Sequence, residues 1–138
     1  MQSIFQITLL VPDYDEALSF YVGQLGFELI EDTRINDQIR WVVVGVGNGC
    51  ALLLAKPDNQ SEAALIGNQT ASRIGFFLGT NDILRDYEAY TEVGVSFIQE
   101  PIKHDHGSVA IFEDPFGNRW DLIEHPNGHH FKLTSSIE

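Results

Sequence analysis

One pattern of elements occurs twice along the chain, and this repeat restricts the possible folds more than any other feature of the sequence. In the first half, apolar periodicity predicts a strand, a helix and three strands over residues 3–11, 13–26, 27–34, 40–46 and 50–56. The second half predicts the same β-α-β-β-β order over residues 73–79, 80–94, 95–100, 106–113 and 119–124. Gly26 and Gly94 end the two helices, and their numbers differ by 68, as do those of Gly49 and Gly117.

This duplication predicts a single α+β domain made of two tandem modules. Its parts are module one, a connector, module two and a tail, over residues 3–56, 57–72, 73–124 and 125–138. Each module has one helix to cover one face of its strands and nothing of its own for the opposite face. Together the modules are expected to form a curved mixed sheet whose uncovered faces enclose a pocket for a small molecule.

Equivalent positions of the two modules are expected to line that pocket. On the first strands these are Gln6 and Arg73, whose numbers differ by 67, and on the fourth strands Leu53 and Asp121. The helices that follow the first strands are predicted to begin at local caps. Asp13 followed by Glu16 fits a capping box, whereas Thr80 or Asn81 is the expected cap in the second module.

Local chemistry also predicts the turn of the last hairpin. Pro115 presets a φ angle suited to the second position of a turn, and Gly117 supplies a positive φ. Asp114 and Asn118 are expected to bond the turn backbone. In the strand that follows, a period of two places Asp121 on the face opposite to the apolar residues beside it.

Composition excludes several classes of function. The 138 residues carry 8 Lys plus Arg against 20 Asp plus Glu, a net charge of −12 that repels nucleic acid and anionic membranes and favours a cationic partner. The single cysteine, Cys50, rules out an intramolecular disulfide, and the apolar run that it opens predicts a buried thiol. No apolar stretch reaches the ~20 residues of a membrane span, so the cytoplasm is the expected location.

Two segments resemble a known family. Residues 7–26 are similar to the opening strand, helix and Leu-Gly-Phe exit of the vicinal oxygen chelate superfamily, and residues 114–124 to its Asp-Pro-x-Gly-Asn turn and final strand. This superfamily includes glyoxalase I, bleomycin-resistance proteins and extradiol dioxygenases, and the similarity spans residues 3–124. It implies the glyoxalase/bleomycin-resistance fold, commonly a homodimer, and in the enzymes a divalent metal ion held in the cup.

Carried over by position, the metal-binding residues of that family fall on Gln6, Leu53, Arg73 and Asp121. The metalloenzymes hold His, Glu or Gln there. Leu53 offers no donor atom, and Arg73 is a permanent cation without a lone pair. Zinc or nickel needs three or more His, Cys or carboxylate donors, so no metal cofactor is the preferred prediction.

Arg73 and Asp121 have two interpretations. They could form an ion pair that fills the place of the lost metal, or Arg73 could present its guanidinium to a carboxylate or phosphate of a ligand while Asp121 orients it. Trp41 and Phe77 are likewise either core residues or an aromatic wall for a flat ligand.

Histidines give weaker signals. His104 and His106 flank Asp105 and are read either as solvated loop residues or as a metal pair or acid/base, with His106 the better pocket candidate because it directly precedes the hairpin. The tail histidines are expected at the surface; these are His125, His129 and His130.

Three functions remain open. The preferred one is a cytosolic protein that binds a small organic molecule, with a cation favoured by the acidic charge, through Gln6, Thr8, Trp41, Arg73, Phe77, His106 and Asp121. The second is a metal-dependent lyase, isomerase or dioxygenase with a divalent ion on Gln6, His106 and Asp121. The third is a dimeric interaction module whose cup is closed.

Overall fold

The structure is a computed structural model, and it describes residues 1–126, so that His129 and His130 lie outside the described range. The first half contains β1 (Gln6–Leu10), α1 (Tyr14–Leu18) continuing as a π-helical segment (Ser19–Gln24), β2 (Glu28–Arg34), β3 (Arg40–Gly45) and β4 (Ala51–Ala55). A short α2 (Gln60–Ala63) follows. The second half contains β5 (Phe76–Gly79), α3 (Ile83–Glu92), β6 (Ser96–His104), β7 (Gly107–Glu113) and β8 (Arg119–Glu124).

These strands form two four-stranded mixed sheets with the orders β1-β4-β3-β2 and β5-β8-β7-β6. In each sheet the first strand pairs with the fourth in parallel, and the other pairings are antiparallel. The predicted α+β fold of tandem β-α-β-β-β modules is therefore confirmed. Within residues 1–126, no helix is long and apolar enough to cross a membrane.

The chain divides into two compact units, each with its own core. The first unit comprises Met1–Gln69 together with Pro115–Gly117, and the second comprises Thr70–Asp114 and, of the rest of the described chain, residues 118–126. The first core consists of residues of α1, its π-helical extension and the adjoining sheet face, among them Leu9, Ala17, Phe20, Tyr21, Val42, Val44 and Leu54. The second core lies between α3 and its sheet, with Leu78, Ile83, Ala110, Phe112, Trp120 and Leu122.

Strand register shows how closely the two units repeat one another. Glu28 pairs with Gly45 as Ser96 pairs with Glu113, an offset of 68, and Val43 opposes Leu53 as Ile111 opposes Asp121. Even the irregularity in the second strand recurs, between Leu29 and Glu31 and again between Phe97 and Gln99.

Before the second strand of each unit, the residue numbers of equivalent positions differ by 69, and not by the predicted 67. Thr8 opposes Leu53 in β4, and Phe77 opposes Asp121 in β8. Gln6 therefore corresponds to Gly75, and the predicted equivalence of Gln6 with Arg73 is wrong.

The helix caps show the same offset of 69. The N–H of Glu16 donates to Asp13 (2.8 Å), which confirms that cap, and the N–H of Arg85 donates to Asp82 (3.1 Å). The second cap is thus Asp82 and not Thr80 or Asn81.

A π-helical turn accounts for the extra residue in the first helix. The N–H of Leu25 donates to the carbonyl of Phe20 (2.9 Å), five residues earlier, at the end of segment Ser19–Gln24. A single inserted residue produces such a turn, because the helix widens locally instead of rotating everything that follows. Its counterpart α3 is α-helical throughout.

Two boundaries and one burial prediction differ from the sequence-based expectations. Strand β5 begins at Phe76, because Thr70 and Arg73 close a turn in which the N–H of Arg73 donates to the carbonyl of Thr70 (3.2 Å). Strand β6 does not end at Glu100 but continues through Pro101 to His104. A proline is tolerated there because β6 is an edge strand and its register is irregular between Gln99 and Ile102. Cys50 is exposed, because it lies in the turn before β4 rather than in the apolar strand.

The turn predicted for the last hairpin is confirmed. The carboxylate of Asp114 accepts hydrogen bonds from the backbone N–H (2.8 Å) and the side-chain amide (2.7 Å) of Asn118, and both residues are buried. Gly117 has φ +98°, a conformation that side chains with a Cβ rarely adopt.

Deletion of Gly23 tests the origin of the π-helical turn. Gly23 is exposed and a Cβ built on it would meet no neighbouring atom, so we expect its removal to leave a regular helix and to change the free energy of unfolding by about 1 kcal/mol or less. Deletion of the exposed Glu88 in α3 is the control, because it rotates the residues after it by one helical step and should cost more than about 3 kcal/mol. Urea unfolding measures both, and equal losses would contradict this origin.

Candidate functional site

Each sheet has one face that its helix covers and one that it does not. In the second unit, α3 covers the face that carries the buried Trp120 and Leu122. The opposite, helix-free face carries Phe77, Asp121 and Ile111 side by side, because these residues oppose one another on β5, β8 and β7. Phe77 is 64% exposed, so this face presents an accessible aromatic ring beside a carboxylate.

Asp121 is half-buried, and burial raises the pKa of its carboxyl group. Within residues 1–126 it has no hydrogen-bond or ion-pair partner. Partial burial without a partner disfavours the charged form of a carboxyl group. An approaching cation would favour that charged form again.

Arg73 does not supply that cation. It is exposed, lies three residues before β5, and forms no ion pair with Asp121. The Arg73–Asp121 ion pair is therefore absent. Arg73 lies in the turn with Thr70, and even in the β5 register it would stand four residues before Phe77, the residue that opposes Asp121.

In the first unit, the equivalent helix-free face has a different chemistry. Thr8, Leu53 and Val43 stand where the second unit has Phe77, Asp121 and Ile111. Gln6 lies two residues before Thr8 on the same face of β1 and opposes Ala51. This face therefore offers a hydroxyl and an amide but no charged group among those residues.

The positions that the resemblance assigns to a metal do not fit one. The resemblance gave Gln6, Leu53, Arg73 and Asp121, but in the observed register Gly75 takes the place of Arg73, so these positions provide one amide and one carboxylate. Within residues 1–126 there is no group of three His, Cys, Asp or Glu side chains able to hold a metal ion. His106 lies in the turn between β6 and β7, five residues along from the partner of Asp121, or about 16 Å.

A pocket of about 500 Å³ lies in the first unit, between the start of β3 and the end of β4. Its lining includes Trp41, which is 41% exposed, and Leu53. The remaining residues come from the same two strand ends and from α1: Tyr14, Gln38, Ile39, Arg40, Leu54, Ala55, Lys56, Pro57 and Asp58.

The pocket exists because the two strands separate. The β3–β4 ladder ends at the pair Val42–Leu54, so Arg40 and Lys56, which would form the next hydrogen-bonded pair, are not joined. Instead, the backbone N–H of Arg40 donates to the hydroxyl oxygen of Tyr14 (3.3 Å). The phenol of Tyr14 thus takes the place of the missing strand partner.

Salt bridges fix the Arg40 side chain at the edge of this pocket. Its guanidinium donates two hydrogen bonds to Asp32 (3.1 and 2.7 Å) and one to Asp15 (2.8 Å), which links β3 to β2 and α1. These hydrogen bonds from Arg40 hold the pKa of Asp32 below its usual value and raise the pKa of Arg40. The Arg40 guanidinium carbon and the Lys56 ammonium also lie 5.2 and 5.7 Å from the centre of the Tyr14 ring.

The structure thus brings some of the sequence-predicted site residues together and separates others. Phe77 and Asp121 are neighbours, and Trp41 lines the first-unit pocket, but Arg73 and His106 stand apart from Asp121. Sequence reasoning missed Tyr14 and Lys56. The signal in the sequence was an apolar strand, Ala51–Ala55, followed directly by a lysine.

Comparison with known proteins establishes the family. Residues 3–122 match the family model described as the Glyoxalase/Bleomycin resistance protein/Dioxygenase superfamily. This chain belongs to that superfamily, as its opening strand and helix and its final hairpin indicated.

Individual relatives agree over nearly the whole length. An uncharacterized protein of Shewanella frigidimarina is 48% identical over 126 residues, covering 89% of this chain and 93% of the relative. The crystal structure of UcmS2 has a TM-score of 0.76 at 30% identity and covers 89% of this chain and 98% of its own. That of TnmS3, an antibiotic binding protein from Streptomyces sp. CB03234, has a TM-score of 0.73 at 25% identity and covers 91% and 98%.

Replacement of Asp121 by Asn tests its desolvation. Because the folded carboxyl has a raised pKa, the native state keeps its proton to a higher pH than the unfolded chain does, and stability falls as pH rises from about 3.8 through the native pKa. We expect Asp121→Asn to raise the Tm relative to wild type at pH 7, on the order of 1 °C, and not at pH 3.

Glu88→Gln removes the same charge from an exposed helical position and is the control. Thermal unfolding followed by circular dichroism at both pH values measures the difference. An Asp121→Asn variant whose advantage over the control is the same at both pH values would contradict the prediction.

Proposed function

We propose that this chain binds a small organic cation on the helix-free faces of its sheets, without the divalent metal ion of the family's enzymes. The observation that carries this proposal is the pair Phe77 and Asp121 in the second unit. There an exposed aromatic ring lies beside a half-buried carboxylate that has no partner in the described chain.

Physical chemistry supports a cation in particular. An ammonium group placed against Asp121 supplies the opposite charge that the desolvated carboxylate lacks. The face of Phe77 attracts the same cation, since the ring carries negative charge density above its plane. The net charge of −12 adds a long-range attraction for a cation and a repulsion for an anion.

The absence of suitable ligands supports the metal-free form of this proposal. Leu53 and Gly75 contribute no side-chain donor at two of the four positions that the resemblance assigns to the ion. The name of TnmS3, an antibiotic binding protein with a similar fold, supports binding of an organic molecule as the function. We therefore place ligand binding ahead of metal-dependent lyase, isomerase or dioxygenase activity.

A homodimer and a cytoplasmic location also belong to this proposal. β1 is an edge strand, and Phe5 just before it and Ile7 within it are exposed apolar residues that a second copy could cover. The side chain of Gln69 already occupies part of this edge, because it accepts from the N–H of Leu10 (2.7 Å) and donates to the carbonyl of Thr8 (3.0 Å). Light scattering after size exclusion measures the oligomeric state.

Binding of three compounds of similar shape and different charge tests the proposed ligand class. We expect benzylammonium to raise the Tm of wild type by mass action more than that of Asp121→Asn, and benzyl alcohol and benzoate to change the Tm of the two proteins equally. Asp121→Asn should weaken benzylammonium binding about tenfold or more, and Phe77→Ala several-fold, in calorimetric titrations. The control Glu88→Gln removes the same charge and should bind like wild type.

The same titration has a pH dependence whose sign is fixed. Protonation of Asp121 competes with the cation, so affinity should fall as pH is lowered through the raised pKa of this carboxyl group. Equal weakening in Asp121→Asn and Glu88→Gln would show that only net charge matters and would contradict the site. A stoichiometric divalent ion in the purified protein, lost in Asp121→Ala or His106→Ala, would replace this proposal with the metal-dependent one.

A further inference from the structure

We propose that the gap between β3 and β4 in the first unit is a second binding site, which takes the carboxylate of a small aromatic acid. The proposal goes beyond the cation site at Asp121 and does not depend on it. It rests on hydrogen-bond donors of residues that line the pocket, which have no acceptor in the described chain.

Three donors are unused. The hydroxyl of Tyr14 accepts the hydrogen bond from Arg40, but its own proton has no acceptor within residues 1–126, although the side chain is only 6% exposed. Because the β3–β4 ladder stops at Leu54, the backbone N–H of Lys56 is also without a partner. The ammonium group of Lys56 forms no ion pair in the described chain.

A buried hydroxyl and a backbone amide that lack acceptors favour an oxygen-rich ligand. A carboxylate has two oxygens and about four lone-pair directions, so one such group can accept from Tyr14 and from the Lys56 amide while its charge faces the ammonium. Asp58 also lines the pocket. Because Lys56 and Asp58 are both exposed, solvent screens the attraction and the repulsion of a carboxylate alike, so the hydrogen bonds from Tyr14 and the Lys56 amide are what favour a carboxylate over a cation.

Arg40 shapes the site without competing for the ligand. Its charge is already matched by Asp32 and Asp15, which leaves Lys56 as the uncompensated cation among the residues that line this pocket. Trp41 and Leu53 provide an apolar surface at the other side of the gap, and about 500 Å³ accommodates a ring with its carboxylate. These features together specify an aromatic acid rather than a simple inorganic anion.

Tryptophan fluorescence provides a direct assay, because the chain has two tryptophans in different environments. Trp41 lines the pocket and is 41% exposed, whereas Trp120 is 4% exposed in the second core. We expect benzoate to change the fluorescence with saturation, and benzamide and benzylammonium to do so at least about tenfold more weakly. Trp41→Phe should abolish the signal, and a signal that persists in this variant overturns the assignment to the pocket.

Lys56→Gln is the main test, because Lys56 is exposed and its replacement does not disturb the core. It should weaken benzoate binding about tenfold, while Lys103→Gln, the same change on the second unit, leaves it unaltered. Tyr14→Phe should also weaken binding about tenfold, with circular dichroism verifying its fold. Equal affinities of Lys56→Gln and Lys103→Gln, or no saturable change up to about 10 mM benzoate, overturn the proposal.

A second readout separates this site from the one at Asp121. In amide NMR spectra, benzoate should shift the resonance of Lys56 and the indole N–H of Trp41, and it should do so equally in Asp121→Asn. Loss of the benzoate response in Asp121→Asn would overturn the independence of the two sites, whatever becomes of the cation binding.

Discussion

Parallel pairing between the first and last strand of each unit determines which side chains stand together on the helix-free faces. Thr8 meets Leu53 and Phe77 meets Asp121 through this pairing alone. A slip of one residue would turn every side chain of β1 or β5 to the opposite face, and a slip of two would keep the face but move each side chain by about 7 Å. The identity of a candidate site therefore depends on register more than on composition.

Sequence reasoning succeeded where the deciding interactions are local. The cap at Asp13 and the hairpin closed by Asp114 and Asn118 depend on hydrogen bonds that span three or four residues, and the residue types alone specify them. Assignment of Arg73 failed, because the start of β5 depends on its pairing with a strand more than forty residues away. The Tyr14–Arg40 contact spans 26 residues and could not be read from either segment alone.

Ion pairing elsewhere makes the two candidate sites distinct. Arg40 is bound by two aspartates, and Arg34 and Arg85 each bond a nearby carboxylate. Against this background, and among the interactions of residues 1–126, Asp121 is a half-buried carboxylate without a cation, and Lys56 is a pocket-lining cation without an ion-pair partner. Buried and partly buried polar groups are normally satisfied within a protein, so groups left unsatisfied at accessible positions are those best suited to bind something else.

Duplication explains how one fold can hold such different chemistry at equivalent points. The backbone positions of the first sheet have counterparts in the second, apart from Gln6, whose counterpart Gly75 precedes β5, but the backbone register does not specify which side chain occupies each position. At one such pair of positions the first unit has Leu53 and the second has Asp121, and at another the first has Gln6 and the second has Gly75. A chelating centre needs donors at most of these points, whereas a single carboxylate beside an aromatic ring suffices to hold an organic cation. The side chains at these positions thus meet the requirement for binding an organic cation, but not the requirement for chelating a metal ion.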